Sequence, residues 1–254
     1  GAAAVLVTGV LGYRSARGAL EAAVFDQLIT ARQNKARQIE TYFETIRSEL
    51  RLLAASKMVT EAMRDFRIAV NQLEAAGATP VLRKRGTDWY APDFIPQMTR
   101  VLGKEPPIAD YLPSGGTPYY LQYHYIVKNP NPGERRRLLD DAGDGSAFTR
   151  LHAIYHPLMR AAADTVGFFD FMMADPSSGR LIYTVQKETD LGSSLHIGPY
   201  RHSNVAAVVA RCAGTPDRSA VCLEDFAPYA PSGGAPIAFM GAPVIDQGTV
   251  IGVL

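Results

Sequence analysis

The feature that most constrains this chain is a long stretch that has no strong helix breaker. From Ser15 to Ala76 there is no proline, and Gly18 is the one glycine. Apolar or small residues recur along it at alternating steps of three and four, with one interruption at Arg32: Phe25, Ile29, Ala36, Ile39, Phe43, Ile46, Leu50 and Leu53. This heptad-like stripe predicts a very long helix over residues 15–80, which Gly77-Ala78-Thr79-Pro80 ends.

A single apolar stripe on such a helix can pack against the rest of the chain and can also face a second subunit. Charged residues such as Arg37, Glu40, Glu44 and Arg47 occupy the other faces. We therefore expect a parallel homodimer through this helix. The alternative is a helix whose stripe is used entirely within one chain.

The first twelve residues, GAAAVLVTGVLG, are uncharged, small and apolar, and Arg14 and Arg17 follow them. A helix that spans a bilayer needs about 20 apolar residues. We expect residues 1–14 to be the outer end of a transmembrane helix, and the polypeptide to continue beyond residue 254, which lies inside an apolar strand pattern. The alternative is a buried, alanine-rich helix of a soluble protein.

Composition excludes some classes of protein. The chain has 26 Lys+Arg against 25 Asp+Glu, a net charge of +1, and 47% hydrophobic residues. A nearly neutral chain lacks the basic surface that nucleic acid requires, so we expect no nucleic-acid partner. The apolar content is sufficient for a folded core.

The C-terminal third has a clear pattern of strands. Two apolar segments flank Asp175-Pro176-Ser177-Ser178-Gly179, a turn sequence that predicts a β-hairpin. A short helix is expected around Ser203–Arg211. Three further strands are expected at Val221–Ala227, Pro236–Val244 and Thr249–Leu254, with Asp246-Gln247-Gly248 as the turn of a second hairpin.

This order of two strands, a helical crossing and three strands is that of a PAS-like sensor core. The segments FFDFMMADPSSGRLIYTVQKETDLGSSL, GPYRHSNVAAVVARC, EDFAPYAPSGGAPIAFMGAPV and IDQGTVIGVL resemble the extracytoplasmic Cache-type sensor domains of bacterial transmembrane receptors. Such domains precede chemotaxis modules, histidine kinases and nucleotide cyclases. The resemblance implies a small-molecule ligand, a signalling role and a location at the cell inner membrane, with this portion on the periplasmic side.

Together these patterns predict an α+β protein in four parts. They are the outer end of a membrane helix (residues 1–14), a long signalling helix (15–80), a helical, aromatic-rich part (81–164) and a PAS-like core with an antiparallel five-stranded sheet (165–254). Within the aromatic-rich part, short helices are expected around Asp93–Leu102 and Gly116–Val127. A longer helix is expected from Asp144-Gly145-Ser146 to about Thr165, with Pro157 inside it.

In a PAS-like domain a small ligand lies between the concave face of the sheet and the flanking helices and loops, in a largely apolar cavity with a few convergent polar groups. The candidates for contacting it come from the end of the helix, the first hairpin and the crossing segment: Tyr155, His156, Arg160, Asp170, Tyr183, Lys187, Asp190, Tyr200 and His202. In the alternative interpretation Asp170 pairs structurally, Lys187 and Asp190 are solvated loop charges, and Tyr183 belongs to the core.

No catalytic site or cofactor site is expected from the sequence. His152 and His156 share one helix face, as metal ligands can, but Ala153 stands where a metalloprotease has its glutamate. A metal-dependent hydrolase remains an alternative, as does a protein-interaction domain whose aromatic-rich part forms an exposed patch. Cys212 and Cys222 either form a disulfide in an oxidising compartment or remain two buried thiols.

Overall fold

The computed structural model describes the backbone of residues 1–254 and all side chains except those of residues 3–6 and 10. The chain divides into two compact units, Gly1–Ser48 and Glu49–Leu254. The first unit is the larger part of helix α1, Ala2–Ala54. The second contains the remaining elements, so the helical part and the core predicted as separate regions (81–164 and 165–254) lie within one unit.

The helix predicted over residues 15–80 is two helices, because the chain breaks at Ser56. Helix α2 begins at Lys57 and ends at Ala76, and the Ser56 hydroxyl caps it by accepting a hydrogen bond from the Val59 N–H at 3.2 Å. A serine at this position satisfies one of the free N–H groups of a new helix, which stabilises a fresh start. Gly77, with φ of 67°, ends α2 where the sequence predicted.

The other helices follow the expected pattern of short pieces and one long one. They are α3 (Pro80–Trp89), α4 (Ile95–Leu102), α5 (Thr117–Gln122), α6 (Ala147–Val166) and α7 (Asn204–Ala213). Two π-helical turns, Tyr90–Phe94 and Tyr123–Val127, adjoin α4 and α5, and 3-10 turns occupy Ile108–Asp110, Gly133–Leu138 and Ala230–Ser232. Ser146 and Ser203 cap α6 and α7, so both predicted helix starts are confirmed.

The described chain has six strands in two antiparallel sheets. The strands are β1 (Met172–Asp175), β2 (Arg180–Thr184), β3 (Cys222–Tyr229), β4 (Ala235–Gly241), β5 (Pro243–Asp246) and β6 (Thr249–Val253). One sheet has the order β2-β1-β6-β5 and the other pairs β3 with β4. The predicted α+β class is confirmed. The predicted single sheet of five strands is not present in the residues described, because the strands form one sheet of four and one of two.

The difference arises at Ala242, which divides the predicted strand Pro236–Val244 into β4 and β5. Ala242 still exchanges two backbone hydrogen bonds with Leu254, at 2.9 and 3.0 Å, so the ladder of β5 and β6 reaches this residue. Beyond it β4 pairs only with β3. Helix α7 packs closely here, since a Cβ added to Gly241 would lie 2.5 Å from the side chain of Val208.

Both predicted hairpin turns are confirmed. The β1–β2 turn is held by the Asp175 carboxylate, which accepts hydrogen bonds from the Ser177 N–H and from both serine hydroxyls of the turn. In the β5–β6 turn Gln247 and Gly248 both have positive φ, 46° and 82°. Positive φ at two consecutive turn residues matches the right-handed twist of the strands that they connect.

The main core of the second unit lies between α2, α6 and the four-stranded sheet, and Phe66 of α2 is at its centre. The Phe66 ring is fully buried, with centroids 5.1 Å from Phe148, 5.2 Å from Tyr183 and 5.9 Å from Tyr155. Since Phe148 and Tyr155 belong to α6 and Tyr183 to β2, one side chain joins three elements.

We expect Phe66→Ala to lower the free energy of unfolding by about 3 to 5 kcal/mol, because it removes these ring contacts and leaves a cavity. Urea unfolding followed by circular dichroism measures the change. Leu52→Ala is the control, since Leu52 is 74% exposed and its loss should cost well under about 1 kcal/mol. Equal costs for the two variants would contradict this description of the core.

Candidate functional site

Buried polar side chains are concentrated in the loop that follows β2. Thr184, Gln186, Lys187, Thr189 and Asp190 are all buried, although they come from a run of polar residues in the sequence. Lys187 and Asp190 are 0% exposed, so neither is a solvated loop charge. Burial of this kind is costly unless each polar group finds a partner.

Asp170 holds the two sides of the hairpin base together. Its Oδ1 accepts three backbone hydrogen bonds, from Phe171 and Val185 at 2.7 Å and from Gln186 at 3.1 Å. Burial raises the pKa of Asp170 to about 7, and the charge of Asp190 adds to this effect, while the three N–H donors oppose it. Its Oδ2 is buried without a protein partner among the described residues.

Two clusters of buried polar residues adjoin this loop. The first is the amine cluster, which we define as His152, His156, Tyr183 and Lys187. His156 Nδ1 lies 2.7 Å from the Tyr183 hydroxyl and its Nε2 lies 2.7 Å from the backbone carbonyl of Arg137. Lys187 Nζ lies 2.9 Å from His156 Nε2 and 3.0 Å from the carbonyl of Val185. The His152 ring stacks on that of His156, with centroids 4.3 Å apart.

The electrostatics of the amine cluster favour neutral groups. Burial, with the charge of Lys187 second, lowers the pKa of His156 to about 2. Burial likewise places the pKa of Lys187 well below its usual value, and the charges of Arg160 and Arg137 lower it further, against Asp170 and Asp140. His152 follows the same direction, because it is buried beside Lys187.

Arg160 lies at the margin of the amine cluster and is held by its own partner. Its Nη1 donates to Asp140 Oδ1 at 2.6 Å and to the same Arg137 carbonyl that His156 contacts, at 2.9 Å. Arg160 therefore pairs with Asp140 and not with Asp170.

The second cluster of buried polar residues is the carboxyl cluster, defined as Asp170, Glu188 and Asp190. Tyr229 donates to Asp190 Oδ2 at 2.6 Å and Ser232 donates to Glu188 Oε2 at 2.6 Å. Burial raises the pKa of Asp190 to about 6 and that of Glu188 to about 8, and the charge of Asp190 raises that of Glu188 further. Three carboxyl groups with raised pKa values thus share one region.

Several buried polar atoms in these two clusters have no protein partner in the described part of the chain. They are Asp170 Oδ2, Asp190 Oδ1 and His152 Nε2. His152 Nδ1 lies 2.7 Å from the carbonyl of Asp140, so it carries the ring proton and the free Nε2 is an acceptor. Buried polar groups are nearly always hydrogen-bonded, so such a group suggests a site that another molecule completes.

The structure brings together most of the residues selected from the sequence. His156, Tyr183 and Lys187 are in direct contact, and Arg160 shares the Arg137 carbonyl with His156. Tyr200 contacts the residue between Glu188 and Asp190 of the carboxyl cluster, since its hydroxyl lies 2.6 Å from Thr189 Oγ1.

Two of the selected residues lie elsewhere. Tyr155 contacts α2, since its hydroxyl donates to Asp65 Oδ2 at 2.8 Å. His202 is solvent-exposed and has no contact with either cluster.

Sequence reasoning missed other members of the site. These members come from segments that are far apart along the chain: Gln122 at the end of α5, the Arg137 carbonyl and Ser232 in 3-10 turns, and Asp140 in a loop. Gln122 donates from Nε2 to the carbonyls of Thr189 and Leu191, at 2.7 and 3.2 Å, and so fixes the loop. Tyr229 lies at the end of β3, and this position carries no signal in the sequence that its hydroxyl binds a carboxylate.

Three further features of the sequence can be compared with the structure. Cys212 and Cys222 form a disulfide with their Cα atoms 6.0 Å apart, which joins the end of α7 to the start of β3. Across the described side chains, no three His, Cys, Asp or Glu residues are arranged to hold a metal ion. No helix formed by described residues is both long and apolar enough to cross a membrane.

Comparison with known proteins returned no relative: no family model, no curated protein and no solved structure matches this chain.

We expect Asp190→Asn to become progressively more stable than the wild type as the pH rises. The pKa of Asp190 is about 6 in the folded protein, against 3.8 for an ordinary aspartate. The raised pKa therefore contributes to the free energy of unfolding below about pH 4, and this contribution is lost as the pH rises through 6. Asparagine does not ionise. Between about pH 5 and about pH 8 the difference in unfolding free energy should grow by roughly 1 to 2 kcal/mol.

Urea unfolding at the two pH values measures this difference. Asp88→Asn is the matched control, because Asp88 is an exposed carboxylate paired with Lys84 on the surface of α3. A difference that is independent of pH for Asp190→Asn would show that this carboxyl does not ionise with a raised pKa.

Proposed function

We propose that this chain is the ligand-sensing part of a bacterial transmembrane signalling receptor of the Cache type, which binds a small molecule on its extracytoplasmic side. The observation that carries the proposal is the set of buried, unpartnered polar atoms of His152, Asp170 and Asp190, together with the buried Lys187. A polar ligand that supplies their missing hydrogen bonds gains binding energy at each. Convergent polar groups within an otherwise apolar core are typical of small-molecule sites.

The order of the elements supports a PAS-like core. Two strands, β1 and β2, precede the crossing helix α7, and the remaining strands follow it. Because only Ala242 separates β4 from β5, the ribbon of β3 and β4 extends from the edge of the four-stranded sheet. The amine cluster lies where this core meets α6, which is where a PAS-like domain is expected to hold its ligand.

Signalling through α1 is the second part of the proposal. Phe25, Ile29 and Ile39 of the apolar stripe are 65%, 44% and 57% exposed in the single chain. A second copy packed in parallel would cover them. A ligand shifts such an assembly only through different affinities for its two states, and small shifts of a packed helix can transmit the difference.

An extracytoplasmic location agrees with the disulfide between Cys212 and Cys222, since disulfides persist in oxidising compartments. The alternative of a protein-interaction domain predicts an exposed aromatic patch in residues 81–164. Every aromatic side chain in that range is buried or partly buried, and this weighs against the alternative. The hydrolase alternative requires a metal at His152 and His156, whose rings instead direct nitrogens to backbone carbonyls.

A thermal-shift screen of the whole chain against amino acids, carboxylates, amines, carbonyl compounds, nucleobases and divalent metals tests ligand binding. A compound at 100 times its dissociation constant should stabilise the protein by about 2.7 kcal/mol. We expect one class of small molecule to give such a shift, and Tyr183→Phe to abolish it, because this change disrupts the hydrogen bonds of His156.

The matched control is Tyr155→Phe, which removes a hydroxyl from the same helix–sheet region but on the side that faces Asp65. His202→Gln serves as a control for the exposed crossing segment. Both variants should retain the shift. The absence of any shift, or its loss in the controls but not in Tyr183→Phe, would refute this ligand site, and a shift by zinc alone would favour the hydrolase alternative.

The proposed dimer gives a separate prediction. Ile29→Glu combined with Ile39→Glu should convert the dimer to monomer in sedimentation analysis, because it places four glutamates of the two copies along one apolar seam. Asn34→Glu with Gln38→Glu adds the same charge off the stripe and should leave the dimer intact. A wild-type protein that sediments as a monomer at micromolar concentration would contradict the dimer.

A further inference from the structure

We propose that Lys187 is held as a neutral amine and captures a small aldehyde or ketone by forming an imine with its carbonyl carbon. The inference rests on the ligand site proposed above and names the chemical class of its ligand. It starts from the hydrogen bonds around His156, which decide where each proton of the amine cluster resides.

The carbonyl of Arg137 fixes the tautomer of His156. A carbonyl oxygen only accepts hydrogen bonds, so at 2.7 Å from it Nε2 must carry the ring proton. In the neutral ring Nδ1 is then the acceptor, and the Tyr183 hydroxyl donates to it at 2.7 Å. Both nitrogens of His156 are therefore occupied before Lys187 is considered.

An ammonium at Lys187 would be poorly satisfied in these surroundings. It has three protons to donate, but His156 Nε2, 2.9 Å away, already carries a proton, and Nδ1, 3.4 Å away, already accepts from Tyr183. The carbonyl of Val185 is the one free acceptor in contact, and no described carboxylate lies within ion-pair distance of Lys187. A neutral amine fits better, because it has one proton fewer to place and leaves no unpaired charge buried beside the His156 ring.

Burial and nearby charge act in the same direction. Lys187 is 0% exposed, and burial, together with Arg160 and Arg137, holds its pKa well below the usual value despite Asp170 and Asp140. Desolvated lysines with lowered pKa values are the amines that form Schiff bases with carbonyl compounds.

The backbone of Lys187 is a second, independent indication of a special role. Its φ is 60°, in the left-handed region that residues with a β-carbon seldom adopt. Such strain costs about 1 kcal/mol or more and is retained where the surroundings determine the conformation, often at ligand sites. Asparagine or glycine would adopt this conformation more easily, so the lysine side chain has to be needed for another reason.

The reaction balances without an oxidant or reductant. The lone pair of Nζ forms a bond to the carbonyl carbon as the C=O π bond breaks, and one Nζ proton passes to the carbonyl oxygen, which gives a carbinolamine. The C–O bond then breaks, and the hydroxyl leaves as water with the second Nζ proton, which gives the imine. Asp170 is the carboxyl whose charge acts most strongly on Lys187, and with a pKa of about 7 it can protonate the departing hydroxyl and recover a proton from Nζ.

Reductive trapping on the whole chain tests the imine. The protein is incubated with propanal and cyanoborohydride near neutral pH, and the modified lysines are located by peptide mapping. Exposed lysines are ordinarily ammonium ions at this pH and react slowly. We expect Lys187 to be labelled at least tenfold faster than Lys84 and Lys104, which are solvent-exposed and provide internal controls. Labelling of Lys187 no faster than that of Lys104 overturns the inference.

The Tyr183→Phe variant tests whether Tyr183 controls the protonation of Lys187. A purely structural role of Tyr183 would not shift the pH profile of Lys187 labelling. Without the hydroxyl, Nδ1 of His156 is free to accept from a Lys187 ammonium, so labelling at neutral pH should slow and its pH profile should move upward. Tyr155→Phe should leave the profile unchanged. Lys187→Arg should abolish labelling at this position.

An unchanged pH profile in Tyr183→Phe would overturn the argument for the neutral amine. Labelling reports on Lys187 alone, so its failure beside a positive thermal shift rejects the imine and leaves the ligand site intact. Labelling without any shift from the panel would show a reactive amine at Lys187 without a ligand site, and would overturn the capture of a carbonyl ligand.

Discussion

The hydrogen bond between His156 and the backbone carbonyl of Arg137 determines the protonation of the groups around it. Because the carbonyl can only accept, it fixes the imidazole tautomer, which in turn makes Tyr183 a donor. The His156 ring beside Lys187 therefore has no nitrogen free to accept a proton from the lysine. One backbone oxygen, from a 3-10 turn distant in sequence, therefore controls the chemistry of a lysine in the loop after β2.

The site is stabilised by the core beneath it rather than by its own interactions. Lys187 and Asp190 are fully buried, and each retains unfavourable desolvation that its contacts only partly offset. The aromatic packing of Phe66 against α6 and β2 holds these elements in place. Groups held in an unfavourable environment respond strongly to a ligand that satisfies them, and the proposed sensing function would require this property.

The local elements were largely predictable from the sequence, and the exceptions have specific causes. Turns at Asp175–Gly179 and Asp246–Gly248 depend on a few adjacent residues, and the starts of α6 and α7 depend on one capping serine each. The break at Ser56 was missed because serine is also tolerated within helices. The division of the sheet at Ala242 was missed because it arises from packing of α7 against Gly241, which lies in another part of the chain.

The sequence by itself determined the mixed α+β class, the long helical stretch, the two hairpins and the presence of polar residues after β2. These follow from periodicity and turn chemistry, which act over a few residues. Only the tertiary structure decided that Lys187 and Asp190 are buried, that Arg160 pairs with Asp140, and that the Tyr155 hydroxyl binds Asp65. Burial and hydrogen-bond partners depend on segments far apart along the chain, and no local pattern encodes which carbonyl will meet a given histidine.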